Sequence, residues 1–311
     1  MTKFNNLGIT IARPTSEAFD VALAKAASIA DAQPPRLVAV AREITADHEL
    51  SAAEYERLLG VARADLKIGP ISTGSVDTFD VRVLEALLAR PGLRIHPQAR
   101  ARIEADVAAA REALERGAIR SGAFAGSDGA IHELCQGKID VAFDDFIAKM
   151  RPEDWSPNLA EYRGGEVREI SRAKDGRGHE IVRQQERMQL GSLPNVLDMT
   201  KNTVVDKGPT AARVTWQVVH SDATPATFFL STVQRDDGYI EFAKTADGKV
   251  LVTTRSAHLI RTPISAVAGA VAGRVTGELT ARQLKGYFVA VIERYRAIAA
   301  GSVPVKAVDR P

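Results

Sequence analysis

Apolar residues recur at helical spacing through the first third of the chain and at strand spacing through most of the remainder. The helical period predicts a helix over Ser16–Ala30, with Phe19, Leu23, Ala26 and Ala30 on one face. A second helix is predicted over Ser51–Leu66. Ser51 followed by Glu54 has the spacing of a capping box, and Tyr55, Leu58, Leu59 and Ala62 form the apolar face. Phe79–Ala89 is a third, closed by Pro91 and Gly92. Pro97–Arg116 is a fourth, with Ile103, Val107, Ala110 and Leu114 in register. Residues Gly117–Gly129, GAIRSGAFAGSDG, are dominated by glycine, serine and alanine and read as a linker. Ala130–Gln136 reads as one or two further helical turns, and Asp140–Met150 as an amphipathic helix.

The period then changes. Gly165–Ile170 and His179–Leu190 read as strands joined by a turn at Lys174–Gly178, KDGRG, which is hairpin grammar. Leu193–Met199 reads as a short helical piece, and Lys201–Val205 as a strand ending at a turn over Lys207–Pro209. Ala211–His220 alternates Val214, Trp216 and Val218 with Arg213, Thr215 and Gln217, as a half-buried strand does. Strands are predicted over Thr227–Gln234, Tyr239–Lys244 and Lys249–Ile260, with turns at Asp237–Gly238 and Asp247–Gly248. The last element is a long helix that opens at Thr280, carries Leu284, Phe288, Val291, Ile292, Tyr295 and Ile298 as one stripe, and stops at Gly301.

The 311 residues contain 45% hydrophobic and 26% charged side chains, the composition of an ordinary globular protein. The length suggests two domains. The net charge of +2 carries no basic excess, and the arginines between Arg163 and Arg187 alternate with glutamates, which argues for a solvated sheet face and against nucleic acid. The single cysteine, Cys135, excludes an internal disulfide and fits a reducing, cytoplasmic compartment. The opening residues MTKFNNLGIT lack the pattern of a signal peptide. The apolar stretch Pro263–Gly273 is too short for the roughly 20 residues a membrane span needs, so a soluble chain is expected.

The order helix, hairpin, antiparallel strands and long final helix resembles the START and Bet v 1-like (SRPBCC) superfamily, whose fold is the helix-grip. The resemblance spans about Asp140–Gly301 and rests on element order, on the Asp-Gly pairs at 237–238 and 247–248, and on the final helix. It implies a curved antiparallel sheet wrapped around a C-terminal helix over 140–301, which with the helical domain over 1–116, the linker over 117–139 and the tail over 302–311 makes an α+β chain. It also implies an apolar cavity between sheet and helix. By strand parity Val214, Trp216, Val218, Ile240, Phe242, Val250 and Val252 would line it, with Leu284, Phe288 and Ile292 from the helix. Phe228 and Phe229, being adjacent, point to opposite faces.

Signals for chemistry are sparse. The chain has no GxSxG, HExxH, phosphate-loop or GxGxxG pattern. None of the six histidines pairs with another at a metal spacing. His132 and Cys135 are three residues apart but lack two further ligands, so neither a metal nor a cofactor is expected. The resemblance also implies that an enzyme of this fold would use a few polar groups inside the pocket, and His220, Arg235, Glu241, Arg255 and His258 are the candidates. Glu241 and Arg255 interrupt apolar strands and are the expected polar groups of a pocket. In the helical region, EITADHELSAAE aligns Asp47, Leu50 and Glu54 with an EF-hand loop. His48 stands where glycine is needed and Thr45 replaces a carboxylate, so helix capping explains the same residues better.

The leading expectation is a non-catalytic protein that binds or carries a lipid-like molecule, with the helical region available to a protein partner. An enzyme of cyclase or hydrolase type using the same cavity, and a scaffold with a filled core, are the alternatives. The ligand and the oligomeric state are not legible in the sequence.

Overall fold

A computed structural model describes residues 35–65, 75–77, 85, 88–126, 128–150, 166–174, 176, 180–189, 196–223, 232–261 and 286–302. The predicted helices over Ser16–Ala30 and most of Phe79–Ala89, the pair Phe228 and Phe229, the stretch Pro263–Gly273, the cap at Thr280, Leu284, and residues 303–311 lie outside them.

The helical region holds α1 (Pro35–Ile44), β1 (Glu49–Leu50), α2 (Ala52–Asp65), β2 (Ser75–Asp77), β3 (Arg94–Ile95) and α3 (Pro97–Glu115). The capping box forms as the sequence predicts. Ser51 N–H and Oγ–H donate to Glu54 Oε2 at 2.8 and 2.7 Å, and Glu54 N–H donates back to Ser51 Oγ at 3.3 Å. Leu50 in β1 faces Ile95 in β3 across a two-residue parallel pairing. Tyr55, Leu58 and Leu59 of α2 and Ile103, Val107 and Ala110 of α3 close a small core beneath that pair. His48, at the position of an EF-hand glycine, takes φ 61°, a left-handed conformation, while Asp47 Oδ1 accepts Glu49 N–H at 3.0 Å. Those acidic side chains are thus engaged in local turns and caps.

The chain then forms β4 (Ile119–Ala125), β5 (Ile131–Ile139), α4 (Phe143–Met150), β6 (Glu166–Lys174), β7 (Glu180–Gln189), β8 (Val196–Lys207), β9 (Ala211–Ala223), β10 (Thr232–Lys244) and β11 (Val250–Arg261). A final helix, α5, covers residues 286–299. Eight strands make one antiparallel sheet in the order β4-β5-β11-β10-β9-β8-β7-β6, and β2 adds to its β4 edge in parallel. The class is α+β, with the C-terminal helix packed on the sheet.

Three expectations are corrected. Residues 117–139 are not a linker followed by helical turns: β4 and β5 form a hairpin in the sheet. Glycine, alanine and serine are poor strand formers in isolation. Here they lie in a strand hydrogen-bonded on both edges and buried from Ile119 to Phe124. Leu193–Met199 is not helical where described, since Val196–Met199 opens β8 and pairs with β7. Asp237–Gly238 is not a turn. It lies inside β10, where Gly238 pairs with Trp216 on one side and Ser256 on the other. A side chain at 238 would collide with the Trp216 ring and stand 2.6 Å from Arg255 O, so close packing accounts for the glycine.

Asp247–Gly248 does turn the β10–β11 hairpin, with Gly248 at φ 76° and its N–H donating to Thr245 O at 2.9 Å. Gly301, at φ 74°, closes α5, and Ser302 N–H donates to Ala297 O at 2.9 Å.

Candidate functional site

Side chains on one sheet face alternate with those on the other. The register therefore assigns each residue a side. Gly137 marks the face that α5 covers: a Cβ there would lie 2.6 Å from Ile292 Cγ2. Cys135 and Ile139 in β5, Val250 and Val252 in β11, Ile240 and Phe242 in β10, Ala212, Val214 and Trp216 in β9 and Val205 in β8 share that face. They form one buried cluster with Phe143, Phe146 and Met150 of α4 and with Phe288, Ile292 and Tyr295 of α5. Phe242 is its centre: its ring lies 5.3 Å from that of Phe146 and 5.4 Å from that of Tyr295.

Eight of the ten expected lining residues fall in this cluster: Val214, Trp216, Ile240, Phe242, Val250, Val252, Phe288 and Ile292. Val218 is half-buried next to Val219, which a register shift against β8 leaves exposed. The polar pair does not join them. Glu241 alternates with Ile240 and Phe242 and lies on the opposite face. Its Oε2 accepts Arg213 Nε–H at 2.9 Å, and Arg213 stacks over the Tyr239 ring. Arg255, buried, alternates with Thr254 and Ser256 and also points to that opposite face. Arg235 bonds Asp237 and Asp128 at 2.9 and 2.5 Å. His132 and Cys135 sit on opposite faces of β5, because a separation of three in a strand reverses direction. His132 stacks on Phe124 with ring centres 5.2 Å apart. Among the described residues no cluster of histidine, cysteine, aspartate and glutamate could hold a metal ion.

Further along the helix-covered face, the apolar cluster gives way to a buried polar chain drawn from five strands. Trp216 Nε1–H donates to Asp236 Oδ1 at 2.9 Å, and Lys201 Nζ lies 2.9 Å from Asp236 Oδ2. His258 Nδ1 is 3.4 Å from Asp236 Oδ1, and its Nε2 is 2.7 Å from Ser256 Oγ. Ser256 Oγ–H donates to Glu133 Oε2 at 3.2 Å, and Thr254 Oγ1–H to Glu133 Oε1 at 3.2 Å. The least buried of these, Lys201 and His258, are only 8% exposed. His258 faces α5, its ring 6.2 Å from that of Phe288.

Burial sets the electrostatics of both carboxyls and has opposite net outcomes. For Glu133 it pushes the pKa well above the usual range, and the bonds from Thr254 and Ser256 and the charge of Arg255 only partly offset it. For Asp236 burial alone would do the same. The Lys201 ammonium, the His258 ring and the Trp216 donor outweigh it and hold the carboxyl well below its ordinary value. Burial thus biases Glu133 towards its protonated form, while its partners bias Asp236 towards its ionised form.

Sequence reasoning missed Lys201, Asp236, Glu133 and Ser256. Asp236 falls between the strand predicted to end at Gln234 and the turn predicted at Asp237–Gly238, and Glu133 lies in the segment read as helical turns. Parity counted along correctly placed strands assigns each to a face, and interstrand register then brings Asp236 opposite His258 and Glu133 opposite Ser256.

No family model and no curated protein matches the chain. Solved structures are similar over part of it. A STAR-related lipid transfer protein from Xanthomonas axonopodis aligns at 13% identity and TM-score 0.38, covering 58% of this chain and 93% of the other. The human StarD13 (DLC2) lipid transfer and protein localization domain aligns at 12% identity and TM-score 0.38, over 61% and 94%. The Zhui aromatase/cyclase from a Streptomyces species aligns at 14% identity and TM-score 0.30, over 55% and 92%. Likeness this distant concerns the arrangement of elements alone. Among the described residues no helix is long and apolar enough to cross a membrane.

Proposed function

We propose that the chain binds a hydrophobic small molecule with a polar end, between the covered sheet face and α5. One observation carries this reading: a single sheet face, buried beneath a helix, passes from an apolar cluster around Val214 and Ile240 to a hydrogen-bonded polar chain around Asp236 and His258. Burying such a chain costs desolvation that a plain apolar core would avoid. A ligand with an apolar body and a polar end matches both parts. Native mass spectrometry of the purified chain, followed by organic extraction, tests it. A stoichiometric apolar adduct supports the reading. A bare mass, with no uptake of lipid added in excess, rejects it.

A second reading has its own observation. Asp236, His258 and Ser256 lie in line, with the two imidazole nitrogens turned to the carboxylate and the hydroxyl. That order can move a proton to or from a bound molecule, so an enzyme acting on a hydrophobic substrate is the alternative. Conversion of an extracted or added compound by the purified chain alone would favour it.

A further inference from the structure

Resting on the binding reading above, we propose that the polar chain on the covered face receives an uncharged oxygen, a hydroxyl or a carbonyl at the end of an apolar ligand, and discriminates against a carboxylate.

The argument is one of charge and of hydrogen-bond capacity. Lys201 and Asp236 lie 2.9 Å apart and neutralise each other, so the ammonium is already engaged by a carboxylate. A ligand carboxylate would lie next to the Asp236 carboxylate in a site largely closed to water. Like charges at close range in such a place are strongly unfavourable. A neutral oxygen has no such conflict. Ser256 and Thr254 carry rotatable hydroxyls, and each can donate or accept as its partner requires. Glu133, which burial biases towards its protonated form, offers in that form both an O–H and a carbonyl oxygen. The chain therefore reverses direction to suit either an alcohol or a ketone.

A further group supports a ligand at this position. Ser121 in β4 faces Cys135 across the strand pair, two residue pairs along from Glu133 and so on the same face. Its hydroxyl is buried and has no hydrogen-bond partner among the described residues. Buried hydroxyls are seldom left unmatched unless water or a ligand completes them. Phe288 lies beside His258 from the helix side and continues into the apolar cluster, which gives the ligand body its direction.

The test compares 1-dodecanol with dodecanoate at pH 7 on the full chain after organic extraction, by calorimetry or by Trp216 fluorescence. These probes share a chain length and differ in head charge. Dodecanol is expected to bind at least about tenfold more tightly, the size of one well-made buried hydrogen bond. Two variants locate the effect. Glu133→Gln keeps a neutral donor and acceptor and should retain the preference. Asp236→Asn, checked for an unchanged circular dichroism spectrum, removes the carboxylate that engages Lys201 and should lose or reverse it. Equal binding of the two probes, or tighter binding of dodecanoate, overturns the proposal while leaving hydrophobic binding intact. Binding of neither, together with a bare native mass, removes the binding reading and this proposal with it.

Discussion

The Trp216 ring occupies the space above Gly238 that any larger residue would need, and its indole nitrogen bonds Asp236 two positions earlier on the same strand. A glycine, a tryptophan and a buried aspartate are thereby fixed together at the junction between the apolar and polar parts of the covered face.

Gly238→Ala should therefore destabilise the fold by about 1–3 kcal/mol, the usual cost of overpacking a tight core. The Arg255 carbonyl, at 2.6 Å from the added carbon, belongs to a neighbouring strand and cannot move aside cheaply. Urea unfolding with an unchanged m-value and a lower midpoint is the expected result.

Lys201→Met should cost about 3 kcal/mol, because it leaves Asp236 buried without its ammonium partner. Asp236 has a depressed folded pKa, so its contribution is present above the ordinary aspartate value of 3.8 and is lost as the pH falls through the lower folded value. Without Lys201 the burial of Asp236 raises its pKa, so the deficit of Lys201→Met should be largest near neutral pH and shrink as acid protonates Asp236. Thermal melts between pH 3 and pH 7 measure the difference.

Glu133 has the opposite sign. Its folded pKa is raised, so above the ordinary glutamate value of 4.5 the folded state holds a proton that the unfolded state releases. Stability from this group is full below pH 4.5 and declines as the pH rises towards the folded value. Glu133→Gln should remove that decline, so its stability relative to wild type should increase with pH. Melting temperatures of the two proteins across that window check the slope.

Tyr295 is fully buried against Phe242 and Phe146, and its hydroxyl has no hydrogen-bond partner among the described residues. Tyr295→Phe should be neutral or stabilising by up to about 1 kcal/mol, since it removes a desolvated group without breaking a bond. A loss above about 1 kcal/mol would show instead that an ordered water or ligand completes that hydroxyl.

Phe242→Ala should cost about 3–5 kcal/mol, because it empties the centre of the aromatic group shared by sheet, α4 and α5. Loss of near-ultraviolet circular dichroism at lower denaturant concentration is the expected readout.

Much of the fold was legible in local pattern. The 3.6-residue period located α2 and α3, and the Ser51–Glu54 spacing located a helix start. The two-residue alternation of Ala211–His220 placed Val214 and Trp216 on a common side, which the structure places under α5. Local patterns also misled where burial reversed their usual meaning. Asp-Gly means a turn when its backbone is free, yet at 237–238 it is a continuous strand that carries a buried carboxylate and makes room for a ring. Small residues mean a linker when exposed, yet at 119–125 they form a strand buried within the sheet.

The sequence by itself determined which residues could face the same way, because side-chain direction follows from backbone period alone. It thereby determined an apolar stripe on β9, β10, β11 and the last helix. Only the tertiary structure decided what meets across strands. Lys201, Asp236, His258, Ser256 and Glu133 come from four strands and span more than a hundred positions, and interstrand register alone brings them within hydrogen-bond reach. Register depends on the whole sheet, so no window of sequence contains it.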